Sequence, residues 1–386
     1  MTDLRIVVVG NIACEPYPGT AWQAMQYAVG LRRLGHDVYY FETSSSWPYD
    51  PIRASRVNDS GYALAYLAQV AENFGLTDRW AYRRSYGDKA WFGRDSTSAE
   101  QFLAQADVVL SVTGSTRFAE ENLKVGRLVY VCTDPVIHEA LYACNDQDVQ
   151  TLVDEHDDVV TYGENIGSAC CPLAPLPRLR ATTRQPVVLD MWEAGPPPRD
   201  EFTTVGNWKQ DGHDSEYEGE VYHWSKHREY LKFIDLPERI DQPIEIATSF
   251  VQLCSEDKAL LESHCWRLTD ARALTLCGYR DYIRGSRGEF TVAKDANVRL
   301  RTGWFSDRSA CYLAAGRPVI TQDTGFGAVF PTGEGLFAFN TMDDILAAFD
   351  SIRADYDRHS RAARAIAETY FKAETVLSKL LADLGF

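Results

Sequence analysis

The segment from Gly303 to Gly327, GWFSDRSACYLAAGRPVITQDTGFG, carries the residue types and spacing best suited to chemistry. A polar group, Ser306-Asp307-Arg308-Ser309, stands where a helix would begin, and a helical run from Ala310 to Ala315 follows. Gly316-Arg317-Pro318 stops that helix, and Pro318 to Thr321 reads as a short buried strand. A glycine-bearing loop, Asp323-Thr324-Gly325-Phe326-Gly327, comes directly after the strand. In an open parallel sheet this arrangement suits a phosphorylated ligand, because helix N–H groups and the helix dipole favour an anion and glycine lets backbone approach it. The same residues also suit a tight helix–strand joint that binds nothing.

Other candidates sit at predicted strand ends. Gly19, Thr20, Gly114, Asp134 and Glu164 all follow short apolar runs, which in a parallel sheet brings them to one crevice. Glu42 ends the second predicted strand, where a ribose-binding acid would stand in a dinucleotide fold, but no G-x-G-x-x-G precedes it. A solvated strand-end carboxylate is the simpler account of Glu42. An acidic run, Asp211 to Glu220, leads to His223 and His227, four residues apart. On one helix these would share a face at metal-ligand spacing, yet position 224 is Trp and no third ligand is evident. A solvated helix start is the reading taken, and no metal site is expected.

The elements that must position these residues follow an α/β rhythm. Leu4–Val9, Val38–Phe41, Asp107–Val112, Arg127–Cys132 and Asp158–Tyr162 read as buried parallel strands, with helices at Trp22–Leu34, Tyr62–Phe74 and Ala99–Ala106. Cys171 to Pro186, with four prolines and three arginines, reads as the linker between two halves, and its Arg178–Arg184 stretch as a local basic patch. Val187–Met191, Thr203–Trp208 and Pro243–Ala247 are predicted strands of the second half, and Ser360–Leu384 a final helical tract.

Composition bounds the function. At 386 residues the chain is expected to form two domains. A formal net charge of −16 opposes binding to nucleic acid, whose phosphates require a basic face. No apolar run approaches the ~20 residues of a membrane span. Ile6–Val9 is too short for a signal peptide. Nine cysteines without a C-x-x-C pair fit reduced thiols. The expectation is a cytoplasmic protein, monomeric or homodimeric.

Several pieces together resemble the GT-B glycosyltransferases of the group 1 type, including the CgeB-like branch. They are Glu289–Lys294, Gly303–Ser309, Leu313–Val319 and Thr324–Phe326 in the second half. In the first half Pro18–Trp22 and Leu34–Val38 are similar to the opening of such enzymes, and Thr161–Gly167 is similar to bacterial members. The resemblance implies two Rossmann-like domains facing a cleft. Residues 1–180 would hold the acceptor, 187–360 a nucleotide-diphosphate sugar, and 361–386 a helix crossing back to the first domain. It implies sugar transfer without a metal or other cofactor, from a dTDP- or UDP-linked donor to a small-molecule, glycan or lipid-linked acceptor. Ser306, Arg308 and Ser309 would contact the pyrophosphate, Gly206 and Lys209 the phosphates from the other side, and Thr324, Gly325 and Phe326 the sugar or phosphates. Glu289 occupies the place of the first glutamate of the E-x7-E pair, which binds the sugar, and Gly19, Thr20 and Glu164 would serve the acceptor.

The sequence departs from that pattern at the second glutamate, where Cys311 stands, and Asn297 lies seven residues after Glu289. An inverting reaction would then need a base from the first half, and His138, oriented by Asp134, is the candidate. A GT-B-shaped sugar-nucleotide epimerase, or a silent sugar-nucleotide-binding protein, are the alternative readings.

Overall fold

The computed structural model describes residues 3–44, 46–210 and 212–386; Asp211, first of the acidic run, lies outside them. The all-apolar run Ile6–Val9 is fully buried in β1 (Arg5–Val9), as a central strand of a parallel sheet requires. Around it lie β2 (Asp37–Ser44), β3 (Trp80–Arg84), β4 (Trp91–Phe92), β5 (Val108–Val112), β6 (Arg127–Cys132), β7 (Asp158–Thr161) and β8 (Leu179–Thr182). Their order is β8-β7-β6-β5-β1-β2-β3-β4, parallel except for the edge pair β3–β4.

The second sheet contains β9 (Phe202–Val205), β12 (Ile244–Thr248), β13 (Arg267–Asp270), β14 (Gly288–Thr291), β15 (Val319–Gln322) and β16 (Leu336–Phe339). Its order is β13-β12-β9-β14-β15-β16, all parallel. Between β9 and β12 the chain inserts a hairpin, β10 (Ser215–Tyr217) with β11 (Glu220–Tyr222).

Helix α1 (Pro18–Arg33) starts on a proline and ends at Gly35, whose φ of +94° suits only glycine readily. Its apolar faces are covered twice, by its own sheet and by the last helix, α6 (Ala373–Asp383). A Cβ on Gly30 would stand 2.5 Å from Leu377. Between them in sequence come α2 (Ile137–Ala143), α3 (Leu276–Gly285), α4 (Asp307–Ala314) and α5 (Tyr356–Ile366). α5 packs on the second domain. A π turn, Ala367–Phe371, then carries the chain back to α6 on the first.

Three expectations need correction. The proline- and arginine-rich stretch is not a linker, because Leu179–Thr182 within it pairs with β7 and completes the first sheet. Its arginines are used internally: Arg178 donates to the carbonyls of Val153, Asp154 and His156, and Arg184 pairs with Glu164 at 2.7 Å. Val187–Met191 makes one bridge, to Lys372, and then a 3-10 turn, Leu189–Trp192, in place of a strand. His223 and His227 do not share a helix, since the helix begins only at His227 and His223 bonds Asp214 at 2.8 Å.

Candidate functional site

Each sheet reverses its strand order beside its first strand, between β1 and β5 in one and between β9 and β14 in the other. Loops leaving the carboxyl ends at such a reversal form a crevice. Here the two crevices face one another. Asn11 follows β1, Gly206 and Asn207 follow β9, and Lys294 follows β14, and all four line one cavity of about 440 Å³. Gly19, Thr20 and Gln23 of α1, Asp134 after β6, and Ser306, Asp307 and Arg308 of α4 complete its polar walls.

Helix α4 points its N-terminus into this cavity. Ser306 occupies the N-cap position but makes no side-chain cap, so the first-turn N–H groups are left for another acceptor. Arg308 is fixed from behind: Nε donates to Glu289 Oε1 at 2.6 Å, Nη1 to the Val205 carbonyl at 2.6 Å and Nη2 to Thr291 Oγ1 at 3.0 Å. Glu289 is fully buried and Arg308 is 9% exposed. Burial alone would lower the Arg308 pKa, but the charge and hydrogen bond of Glu289, with Tyr279 and Tyr230, together more than offset it and the guanidinium stays charged.

Two lysines join it. Lys294 pairs with Asp134 across the cleft and lies over the Trp224 ring. Lys226 lies 5.5 Å from the centre of the Trp304 ring. Burial lowers Lys294 to about 8 against the pull of Asp134, and burial with the neighbouring charges of Arg308 and Lys294 lowers Lys226 to about 7. The inserted hairpin sets the Trp224–Lys226 run in place. Tyr217 and Tyr222 pack with Val136, Ala140, Ile166 and Leu173 of the first domain, while Trp224 N donates to Asp214 Oδ1 at 2.8 Å.

A second, smaller lobe of about 250 Å³ opens beyond Arg308, walled by Tyr17, Pro18, Val205, Leu274 and Tyr279. Gly19, Thr20, Gly206, Asn207, Asp307 and Arg308 border both lobes. The loop carrying its first-domain wall is clamped by Glu42. This carboxylate is buried, not solvated, and accepts from Ala13 N, Cys14 N and the Tyr40 hydroxyl at 2.7–2.8 Å. Burial raises it to about 7 despite these donors.

Of the residues singled out from sequence, Gly19, Thr20, Asp134, Gly206, Ser306 and Arg308 meet at the cleft. Others stand elsewhere. Glu289 acts through Arg308 from beneath, and Ser309 is buried in α4. Lys209 is exposed and lines neither lobe. Thr324, Gly325 and Phe326 form the domain seam: the Thr324 hydroxyl donates to the Trp304 carbonyl, Asn165 Nδ2 donates to the Gly325 carbonyl at 3.1 Å, and Phe326 packs among Phe305 and Phe330. The glycine loop therefore approaches Asn165 and lines neither lobe. Glu164 accepts from Arg184 and the Thr182 hydroxyl, away from both lobes. His138 bonds the Tyr130 hydroxyl rather than Asp134, and burial beside Arg117 lowers it to about 4. Gly114, with φ +68°, lies against Tyr130.

Sequence reasoning missed Lys226, Trp224, Asn207 and the cleft-facing role of Lys294. The lysines had no spacing signal, because the hairpin and the crossing of domains bring them together. A larger concavity, about 1160 Å³, is lined by Ala314–Arg317, Arg361 and Arg364 at the opposite, amino-terminal end of the second sheet. Arg317 there is spent on the carbonyls of Arg284 and Gly195.

No family model and no curated protein matches the sequence. Among solved structures, a UDP-N-acetylglucosamine 2-epimerase aligns over 100% of this chain and 97% of its own, with 11% identity and a TM-score of 0.50. The glycotransferase of kitacinnamycin aligns over 99% and 100%, with 8% identity and a TM-score of 0.44. TarM aligns over 78% of this chain at 9% identity and a TM-score of 0.46, and the match spans only 60% of TarM. Such likeness speaks to architecture alone. The chain has the GT-B fold, two Rossmann-like domains facing a central cleft.

Proposed function

We propose that the protein is a glycosyltransferase that takes a sugar from a nucleotide-diphosphate donor, dTDP- or UDP-linked, to an acceptor held in the same cleft. One observation carries this reading: Arg308, Lys226, Lys294 and the uncapped N-terminus of α4 converge on one cavity that both domains wall. When the bond between the anomeric carbon and the phosphate oxygen breaks, negative charge grows on the leaving diphosphate. Oriented cations and N–H groups in a partly closed site stabilise that charge most in the transition state. With these groups supplying the neutralisation, the reading needs no metal ion. Among the described residues, Asp134 and Asp307 are the carboxylates facing the polar lobe. In this reading one of them takes the acceptor's proton.

The second reading is a sugar-nucleotide epimerase. It is favoured by that same pair, since two carboxylates flanking one lobe could serve as acid and base around a single sugar nucleotide. Thermal-shift measurements with UDP, dTDP, GDP and ADP, followed by incubation of the matching nucleotide sugar with and without acceptors, test both. A rise in Tm with one diphosphate and sugar transfer to an acceptor supports the transferase. Epimerised donor without acceptor supports the second reading. No stabilisation by any nucleoside diphosphate would sink both.

A further inference from the structure

We propose that the concavity at the amino-terminal end of the second sheet is a second binding site, and that it takes a small molecule carrying two or more phosphate charges. The site stands apart from the cleft and does not depend on the chemistry proposed there. Its walls come from the two segments by which the chain passes between the domains, 190–197 on the way out and 356–368 on the way back. Arg284 and Arg287, just ahead of β14, and Ala314–Arg317, at the end of α4, complete it.

In a chain of net charge −16, this surface keeps cations that carboxylates do not fully claim. Arg361 of α5 is exposed and makes no ion pair or hydrogen bond among the described residues. Arg284 Nε is buried without an acceptor, and Nη1 reaches only Asp281, at 3.4 Å. Arg287 lies over the Tyr356 ring, 4.5 Å from its centre, and its Nη1 lies 3.2 Å from the exposed Asp200. The acids of the lining are mostly taken. Asp190 accepts from both Nη groups of Arg33, at 2.5 and 2.9 Å, and Glu368 and Glu193 lie 2.8 and 3.7 Å from Arg364. Asp357 is left as the unpaired carboxylate among the described lining residues.

The carbonyl end of α4 would repel an anion, but those carbonyls are covered. Arg364 Nη1 donates to the Ala314 carbonyl at 2.6 Å, and Ser360 Oγ donates to the Gly316 carbonyl at 2.7 Å. Arg317 in turn covers the Arg284 carbonyl. Guanidinium N–H groups are what remain for a ligand. Their forked donors match phosphate oxygens two at a time. Three of them against one unpaired carboxylate suit a ligand with at least two negative charges, and a neutral sugar would leave them unanswered. Because both walls are joining segments, an occupant stiffens the path along which one domain moves against the other.

Inorganic pyrophosphate is the probe, titrated by calorimetry into the full chain, into the double variant Arg284→Gln with Arg361→Gln, and into Arg358→Gln. Arg358 is exposed on α5 and lies outside the concavity, so it controls for loss of charge alone. Circular dichroism and Tm check folding, and Arg361→Gln by itself, at an exposed position, carries the test should the double variant fail to fold. Hydrogen exchange with saturating pyrophosphate locates the site. The expected result is binding that the double variant weakens at least about tenfold and Arg358→Gln less than about twofold, with slower exchange in 189–195 and 356–368. Equal weakening by Arg358→Gln would reduce the effect to diffuse charge and overturn the proposal. Binding that the double variant leaves intact, with protection confined to the loops after β9 and β14, would overturn this site and place pyrophosphate in the cleft alone. No binding of pyrophosphate to the full chain would also overturn it.

Discussion

Lys294 of the second domain pairs with Asp134 of the first across the polar lobe, so the cleft's own carboxylate stands where a ligand phosphate would draw the lysine. The charged forms of Lys294 and Lys226 are what an anion needs, and burial holds these groups at about 8 and about 7 instead of 10.5. Below those values both are charged, and above them both are neutral. Diphosphate affinity is therefore expected to be highest below about pH 7 and to fall by up to tenfold per pH unit for each lysine above its own pKa. Binding near neutral pH should take up protons, because the bound anion raises both pKa values. Calorimetry in buffers of different ionisation heat measures this uptake, and Lys226→Arg should remove part of it. Affinity that stays flat between about pH 6 and 9 would remove both lysines from the site.

Arg308 serves two masters, the cleft and the buried Glu289. Arg308→Ala would leave Glu289, fully buried, without its cation, at a cost of about 3–5 kcal/mol of stability. The double variant Arg308→Met with Glu289→Gln should recover most of that stability, since no charge is then left unpaired. It should not recover diphosphate binding. Urea denaturation and calorimetry on the single and double variants separate the two roles. A double variant that binds diphosphate as tightly as the unmodified chain would show that Arg308 is structural only.

At the seam, Asn165 N donates to the Thr302 carbonyl at 2.9 Å and its Nδ2 reaches the carbonyls of Arg301 and Gly325. Gly325 has φ +89°, and a Cβ there would stand 2.6 Å from Asn165 Nδ2. Gly325→Ala is therefore expected to lower stability by about 1–3 kcal/mol through backbone strain and overlap. Nucleoside diphosphate affinity should change by less than about threefold, because the loop does not line either lobe. A selective loss of affinity at unchanged Tm would return Gly325 to the binding site.

Lys226, Arg308 and Gly325 show what was legible in the sequence. The first strand, the body of α1 and the α4–β15 joint read correctly because buried β-branched runs, helical periodicity and a Gly-Arg-Pro stop are local signals, whereas the helix starts at Pro18, ahead of the Trp22 expected. Gly206, Arg308 and the Gly19–Thr20 pair were found because a strand end and a helix start can be read without knowing the partner domain. Lys226 was not, since its position depends on a hairpin whose apolar face is completed by Val136 and Ile166 of the other domain. Gly325 was read as a close approach to a ligand and makes one to Asn165: glycine in a loop reports that something comes near and does not say what. Strand β8 was hidden because an edge strand rich in arginine and threonine lacks the apolar run of a central one.

The hairpin that carries Trp224 to the cleft makes its own prediction. Tyr217 and Tyr222 are its apolar anchors on the first domain, and the Tyr217 hydroxyl lies 3.3 Å from Ala174 N. Tyr217→Ala is expected to cost up to about 3 kcal/mol and to loosen the hairpin before the domains unfold. Hydrogen exchange should show faster amide exchange in residues 212–226 while β9 and β14 stay protected. If exchange rises equally in those central strands, the hairpin is an ordinary part of the domain core and not a clasp between domains.

Cys311 stands where the resemblance to group 1 transferases leads one to expect a glutamate. In this fold it does not face the ligand lobes. Its thiol is buried against α1, 3.7 Å from Gln26 Nε2, and Gln26 in turn accepts from Val188 N and Trp192 Nε1. Cys311→Glu would push a carboxylate into that dry seam, where burial disfavours its charge and its extra length overfills the contact. The expected outcome is a stability loss of roughly 2–4 kcal/mol with no gain in nucleotide affinity. Cys311→Ser, nearly the same size, should be close to neutral. Thermal melts and calorimetry on both variants decide the matter. Tighter diphosphate binding by Cys311→Glu at unchanged Tm would mean that α4 can turn this position toward the cleft, and that the seam between α1 and α4 opens when the ligand binds.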